Sequence, residues 1–149
     1  MRIFTSMRVR DDVSEGISSF YGEILRIKGM VQFAEKEVPM LVLVDEIFKG
    51  TNSADRIIGA QAAIRKLTHP WMMTVVTTHD FELCALADSD DIHGKNYHFE
   101  EHYEGDTIAF DYKIRPGRCM TTNAKHLMRI AGLLDADDVT DEKEEANVL

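Results

Sequence analysis

The chain has 149 residues, 17 basic against 26 acidic, for a net charge of −9, with 44% hydrophobic and 29% charged residues. That balance fits one soluble globular domain with a real core, and no apolar run approaches the roughly 18 residues that a membrane span requires. The body lacks the basic excess of a surface that grips a phosphate backbone, so this piece is not expected to hold DNA directly.

Residues 2–6 (RIFTS) read as a short strand, followed by a polar, charged loop. A helix is predicted to start near Ser18, because Phe20, Ile24, Ile27, Val31 and Ala34 recur with the period of a one-faced helix. Ser18 or Ser19 can cap it, and Glu23 lies in its first turns. Pro39 closes the connection to MLVLV (40–44), five apolar residues that read as a strand covered on both faces. A loop over 45–52 leads to a second helix from about Ser53 to Leu67, with Ile57, Ala60, Ile64 and Leu67 on its apolar side. His69-Pro70 breaks it, and 71–78 (WMMTVVTT) reads as another buried strand, parallel to the first through a right-handed crossover. A short helical turn and an acidic loop follow. The runs holding Tyr97, Phe99 and Tyr103 and then Ile108, Phe110, Tyr112 and Ile114 read as an antiparallel hairpin around Gly105. A last helix is predicted over Thr121–Leu134. Residues 135–149 carry seven acids and one lysine and read as a solvated acidic tail.

The polar chemistry gathers where the two apolar strands end. Asp45 and Glu46 follow one, His79 and Asp80 the other, and in parallel sheets ligands sit beyond the carboxyl ends of the strands. An apolar run ending in Asp-Glu is the Walker B pattern of a nucleoside triphosphatase. There the aspartate supports Mg²⁺, and the glutamate orients or deprotonates the attacking water. On the dipeptide alone a solvated loop cap is an equal reading; the added spacing of Gly50–Asp55 and Thr78-His79-Asp80 tips the balance toward chemistry. A carboxylate–histidine metallohydrolase built from Asp45, Glu46, His79 and Asp80 is the least favoured alternative. His98 and His102, with His93 nearby, are read as the polar outer face of the hairpin opposite Tyr97, Phe99 and Tyr103, in preference to a metal site. Cys84 and Cys119 are too few for a disulfide framework, so reduced thiols and a cytoplasmic location are expected.

Four segments in order, IFTSMRVRDDVSEGISSF, LVLVDEIFKGTNSAD, TTHDFEL and GDTIAF, resemble the carboxy-terminal ATPase domain of the MutS family of DNA mismatch repair proteins. The likeness runs from about Ile3 to Leu134. It implies a partial P-loop, ABC-type α/β fold: a mainly parallel sheet flanked by helices, with a C-terminal antiparallel hairpin and helix. On that resemblance, residues 1–134 form a partial ATPase domain ahead of the tail. Asp45 would support Mg²⁺, Glu46 would act on the water, and His79 would be the switch histidine near the γ-phosphate. Gly50–Asp55, with Asn52, Ser53 and Asp55 among the nucleotide-binding residues, would be the D-loop reaching a second ATPase domain. Gly16, Ser18, Ser19 and Phe20 match the signature segment, in which Ser18 would meet the γ-phosphate held by the opposite subunit. From the residues alone, Ser18 is more simply an N-cap. The implied cofactors are ATP and Mg²⁺, and the implied partners are a second copy or ATPase domain, with DNA reached through other parts of a parent protein.

The sequence also departs from the family. No G-x-x-x-x-G-K-[ST] stretch occurs, so weak or absent nucleotide binding is expected, and the chain reads as a piece of a longer ATPase whose phosphate loop precedes Ile3. Phe48-Lys49 stands in place of a typical Gly-Arg, Asn52-Ser53-Ala54 differs from the usual Ser/Thr-rich run, and Met7–Arg10 depart from a small-residue pattern. These changes suggest a divergent branch. A catalytically inactive interaction fragment is the alternative, since a missing strand would leave a sheet edge or an apolar face uncovered.

Overall fold

The computed structural model describes residues 1–7, 19–104, 107–120, 128 and 131–133. Most of the predicted helix over 121–134, the acidic tail, Gly105, Gly16 and Ser18 lie outside the described residues. Two compact units divide the chain, Met1–Lys95 and Asn96–Leu149.

The first unit is built on three parallel strands: β1 (Arg2–Ser6), β2 (Met40–Asp45) and β3 (Met72–Thr77), in the order β1-β2-β3. Helix α1 (Ser19–Ala34) joins β1 to β2, and α2 (Ser53–Lys66) joins β2 to β3. The pairing places Phe4, Val42 and Thr74 abreast, and Ile3, Leu41 and Met73 abreast on the other face. Met40, Val42 and Val44 are buried, as are Ile27, Met30 and Ala34 of α1 and Ala60 and Ala63 of α2, with Leu67 just beyond; together they form one core. The α1 side of that core is extended by Phe4 against Phe33, with ring centroids 5.0 Å apart. The helix ends are tied down by side chains. The Trp71 indole N–H donates to the Ala34 carbonyl (3.1 Å), and the Thr74 hydroxyl donates to the Leu67 carbonyl (2.6 Å), which satisfies acceptors that a helix leaves without intrahelical partners.

The opposite face corrects the expectation of strands covered on both sides. Ile3, Met73 and Val75 are exposed, and Leu41 and Leu43 only half-buried. Strand order supplies the reason. With the strands laid down in one direction, right-handed crossovers put both helices on the same face, so five apolar side chains remain open on the other. An apolar run in sequence records that both faces of a strand are greasy, but not that both have found cover.

After β3, α3 (Phe81–Cys84) and a 3-10 turn (Ala85–Asp88) bring Leu83, Leu86 and Ile92 into the core. The second unit holds β4 (Tyr97–His98), β5 (Glu101–Glu104), β6 (Thr107–Phe110) and β7 (Arg115–Pro116). The predicted hairpin is present as two nested antiparallel ladders, β5 with β6 and β4 with β7. Between them, residues 99–100 face residues 111–114, so the return strand carries a bulge, with Tyr112 at φ 54°. A polar network fills the bulge: Arg115 donates to both Asp111 oxygens (3.2 and 2.6 Å), while its Nε lies 3.3 Å from Glu100. His98 places Nε2 3.0 Å from Glu100 Oε1 and Nδ1 3.0 Å from the Gly117 carbonyl. The sequence reading of an outer histidine face is corrected at His98, whose side chain is 13% exposed whereas Phe99 is 62% exposed; His102 and His93 are exposed as expected. Alternation places His98 and Phe99 on opposite faces, but it does not say which face a carboxylate and an arginine will close over.

Among the described residues no helix is long and apolar enough to cross a membrane. The two faces of the sheet predict unequal mutational costs. Leu67→Ala, at a side chain 1% exposed, should cost about 2–5 kcal/mol in urea unfolding. Met73→Ala, at 66% exposure on the open face, should cost less than about 1 kcal/mol.

Candidate functional site

The site begins with a register. Asp45 closes β2 directly opposite Thr77, which closes β3. The Thr77 hydroxyl donates to Asp45 Oδ1 (2.6 Å), and the Glu46 N–H donates to the Thr77 carbonyl (3.1 Å) and to Thr77 Oγ1 (3.2 Å). One threonine thus holds the side chain of Asp45 and the backbone of Glu46. Glu46 itself sits at φ 52°, a left-handed conformation that non-glycine residues seldom adopt and that costs of order 1 kcal/mol or more. That turn swings the chain out of the strand, and the Glu46 carboxylate meets His79, with Oε1 2.9 Å from Nε2.

Glu46 is shared. Its other oxygen, Oε2, accepts from the Lys49 ammonium three residues on. The Lys49 hydrogen bond, more than the charge of His79, holds the Glu46 carboxyl below the usual carboxylate range. His79 has a side chain 91% exposed, so its imidazole stands in solvent in contact with the Glu46 carboxylate.

The loop from Glu46 to Thr51 is anchored from α1. The Phe48 N–H donates to Glu23 Oε1 (2.8 Å), and Phe48, also left-handed at φ 58°, is buried edge-on against Phe20, with centroids 5.9 Å apart. Burial, only partly offset by the Phe48 N–H and the Arg26 charge, raises the Glu23 pKa. Two glycines make room for this wedge. A Cβ on Gly50 would sit 3.0 Å from Phe20 Cβ, and one on Gly59 would sit 3.3 Å from the Phe48 ring. Phe48 is therefore a packing element, wedged between the start of α1 and α2.

Asn52 caps α2: its Oδ1 accepts from the Asp55 N–H (3.0 Å), and its Nδ2 donates to Asp55 Oδ2 (2.6 Å). One residue further, Arg56 donates through Nε (2.9 Å) and Nη2 (2.8 Å) to the two oxygens of Asp80. The Arg56 hydrogen bond holds the Asp80 carboxyl below its ordinary range.

The structure thus brings Glu46 and His79 into contact, with Asp45 next to Glu46 at the end of β2 and bonded to Thr77. It sets Asn52, Ser53 and Asp55 at the N-terminus of α2, with Asn52 and Asp55 bonded to each other; Ser18 lies outside the described residues. Asp80, grouped with the others in the metallohydrolase reading, has its carboxylate bound by Arg56. Sequence reasoning missed Thr77, Arg56, Glu23 and the partnership of Lys49. Thr77 was accessible, since aligning the two strand ends puts it beside Asp45. Arg56 and Glu23 pair across 24 and 25 residues, and no spacing rule announces such pairs.

The family described as MutS domain V matches residues 1–146. The chain is 30% identical over 136 residues to a DNA mismatch repair protein MutS of Natronomonas pharaonis, covering 91% of this chain and 16% of that protein. It is 35% identical over 137 residues to one from Bacillus licheniformis (90% and 15%) and 33% identical over 132 residues to one from Streptococcus sanguinis (88% and 15%). The chain belongs to the MutS family, and it spans about a sixth of the length of these relatives.

The Lys49 contact has a measurable consequence. A carboxyl whose folded pKa is depressed adds stability above its unfolded value and loses that contribution as pH falls through the folded value. Lys49→Met should therefore move the Glu46 titration midpoint upward toward the ordinary carboxylate range, read by carbon NMR of the side-chain carboxyl. A midpoint unmoved by the substitution would show that Lys49 does not hold Glu46 in solution.

Proposed function

We propose that this chain is the distal half of the ATP-binding and hydrolysing domain of a MutS-family protein, acting in mismatch repair or a recombination-related process, whose ATP cycle switches a DNA-clamping dimer between states. The observation that carries the reading is the meeting of Glu46 and His79 beyond adjacent parallel strands, with Asp45 fixed beside them by Thr77. In this reading Glu46 orients or deprotonates the attacking water, and His79 faces the γ-phosphate. Ser18, Asn52, Ser53 and Asp55 serve nucleotide binding and communication with a second ATPase domain.

The donor set suits Mg²⁺. Asp45 is exposed and the Thr77 hydroxyl lies against it, and both offer hard oxygens. Among the described residues no cluster of three His, Cys, Asp or Glu side chains gathers around a point. Mg²⁺ takes one or two carboxylates and completes its shell with water and phosphate oxygens. When bound, it would neutralise charge on the transferring phosphoryl group. Asp45 would hold the ion, and Glu46 the water and its proton. The chain has no phosphate-cradling loop motif, so turnover requires that segment from elsewhere.

A second reading, a module that binds a copy of itself without nucleotide, is favoured by the open apolar face of Ile3, Leu41, Leu43, Met73 and Val75. Two measurements separate the readings. In a protein that supplies the phosphate loop, Glu46→Gln should slow ATP hydrolysis by roughly 10²-fold or more while leaving ATP affinity within a few-fold; unchanged turnover removes Glu46 from the chemistry. For this chain alone, light scattering should report a dimer under the module reading, and a monodisperse monomer at high concentration counts against it.

A further inference from the structure

His79 is exposed and contacts Glu46, so what aims it is the backbone on either side. On the upstream side, Thr77 is tied to Asp45 and Glu46. On the downstream side, the Asp80 N–H donates to the Thr78 hydroxyl (3.0 Å), the Asp80 carbonyl accepts from the Leu83 N–H (3.1 Å), and the Asp80 carboxylate is gripped by both arms of Arg56. Arg56 belongs to the first turn of α2, directly after the Asn52–Asp55 cap. We propose that the Arg56–Asp80 ion pair is a positioning clamp that joins the start of α2 to the turn carrying His79, so that a displacement at Asn52–Asp55 moves the imidazole relative to Glu46. The proposal rests on the reading above of Glu46 and His79 as a working pair, and it adds the element through which the α2 terminus regulates that pair.

The chemistry fits such a task. A planar guanidinium bound through two nitrogens to one carboxylate fixes angle as well as distance, which a lysine contact does not. Both side chains are partly buried, 24% and 19% exposed, so the pair is screened less than a fully exposed one. The Arg65–Asp91 pair, whose arginine lies at the far end of the same helix and whose side chains are more exposed, supplies an internal control.

The test uses the full 149-residue chain without nucleotide. The proton NMR cross-peak between the His79 ring and the Glu46 side chain is measured alongside the melting temperature. Arg56→Gln should weaken the cross-peak by at least about twofold, the change expected of a coupling at the low end for contacting side chains. Arg56→Lys should recover part of it, and Arg65→Gln should leave it intact. A full cross-peak in Arg56→Gln, an equal loss in Arg65→Gln, or a lysine variant no better than the glutamine variant would overturn the clamp. If Arg56→Gln does not fold, the isosteric Asp80→Asn carries the same expectations. Because the contact is read without nucleotide and the catalytic reading is judged by Glu46→Gln turnover, either can fail alone.

Discussion

The pairing of Asp45 with Thr77 is the constraint on which the rest of this site depends. Parallel strands offer evenly spaced backbone bonds and no hairpin to enforce register, so register is decided by which side chains are buried. Here Met40, Val42 and Val44 must point into the core and Met72, Thr74 and Val76 must lie beside them. That requirement leaves Asp45 opposite Thr77 at the strand ends. A slip of one residue would turn the core side chains outward and separate the hydroxyl from the carboxylate. The position of the acidic pair is thus set by hydrophobic burial several residues away.

A second constraint comes from the loop that follows. Phe48 is held by Glu23 of α1 through its backbone, by Phe20 through its ring, and beside α2 by the space that Gly59 leaves. Glu46, two residues upstream, and Asn52, four residues downstream, are therefore spaced around one buried aromatic. The segment between β2 and α2 is a short strap pinned at its middle, and both ends of the strap carry polar groups of the site.

Much of this was legible in the residues. The apolar periods of α1 and α2, the two strands with polar residues at their carboxyl ends, and the meeting of Glu46 with His79 all follow from rules that act over a few positions. What stayed hidden needed longer reach. The open face of the sheet follows from strand order, which no single strand encodes. The inward turn of His98 depends on Glu100 and Arg115 closing around it in a bulge, and the bulge arises from a mismatch in strand length. Arg56 with Asp80, and Glu23 with Phe48, are pairs that only the assembled fold brings together.

The left-handed backbone at Glu46 sets two demands against each other at one position. Conformational ease there calls for a residue with no side chain, whereas the carboxylate exists only if that ease is forgone. Selection for thermal robustness alone would erode the position toward glycine, and, on the role in hydrolysis proposed for Glu46, selection for turnover would restore the acid. A lineage that had given up hydrolysis would be expected to show the relaxed residue here before it lost any part of the core.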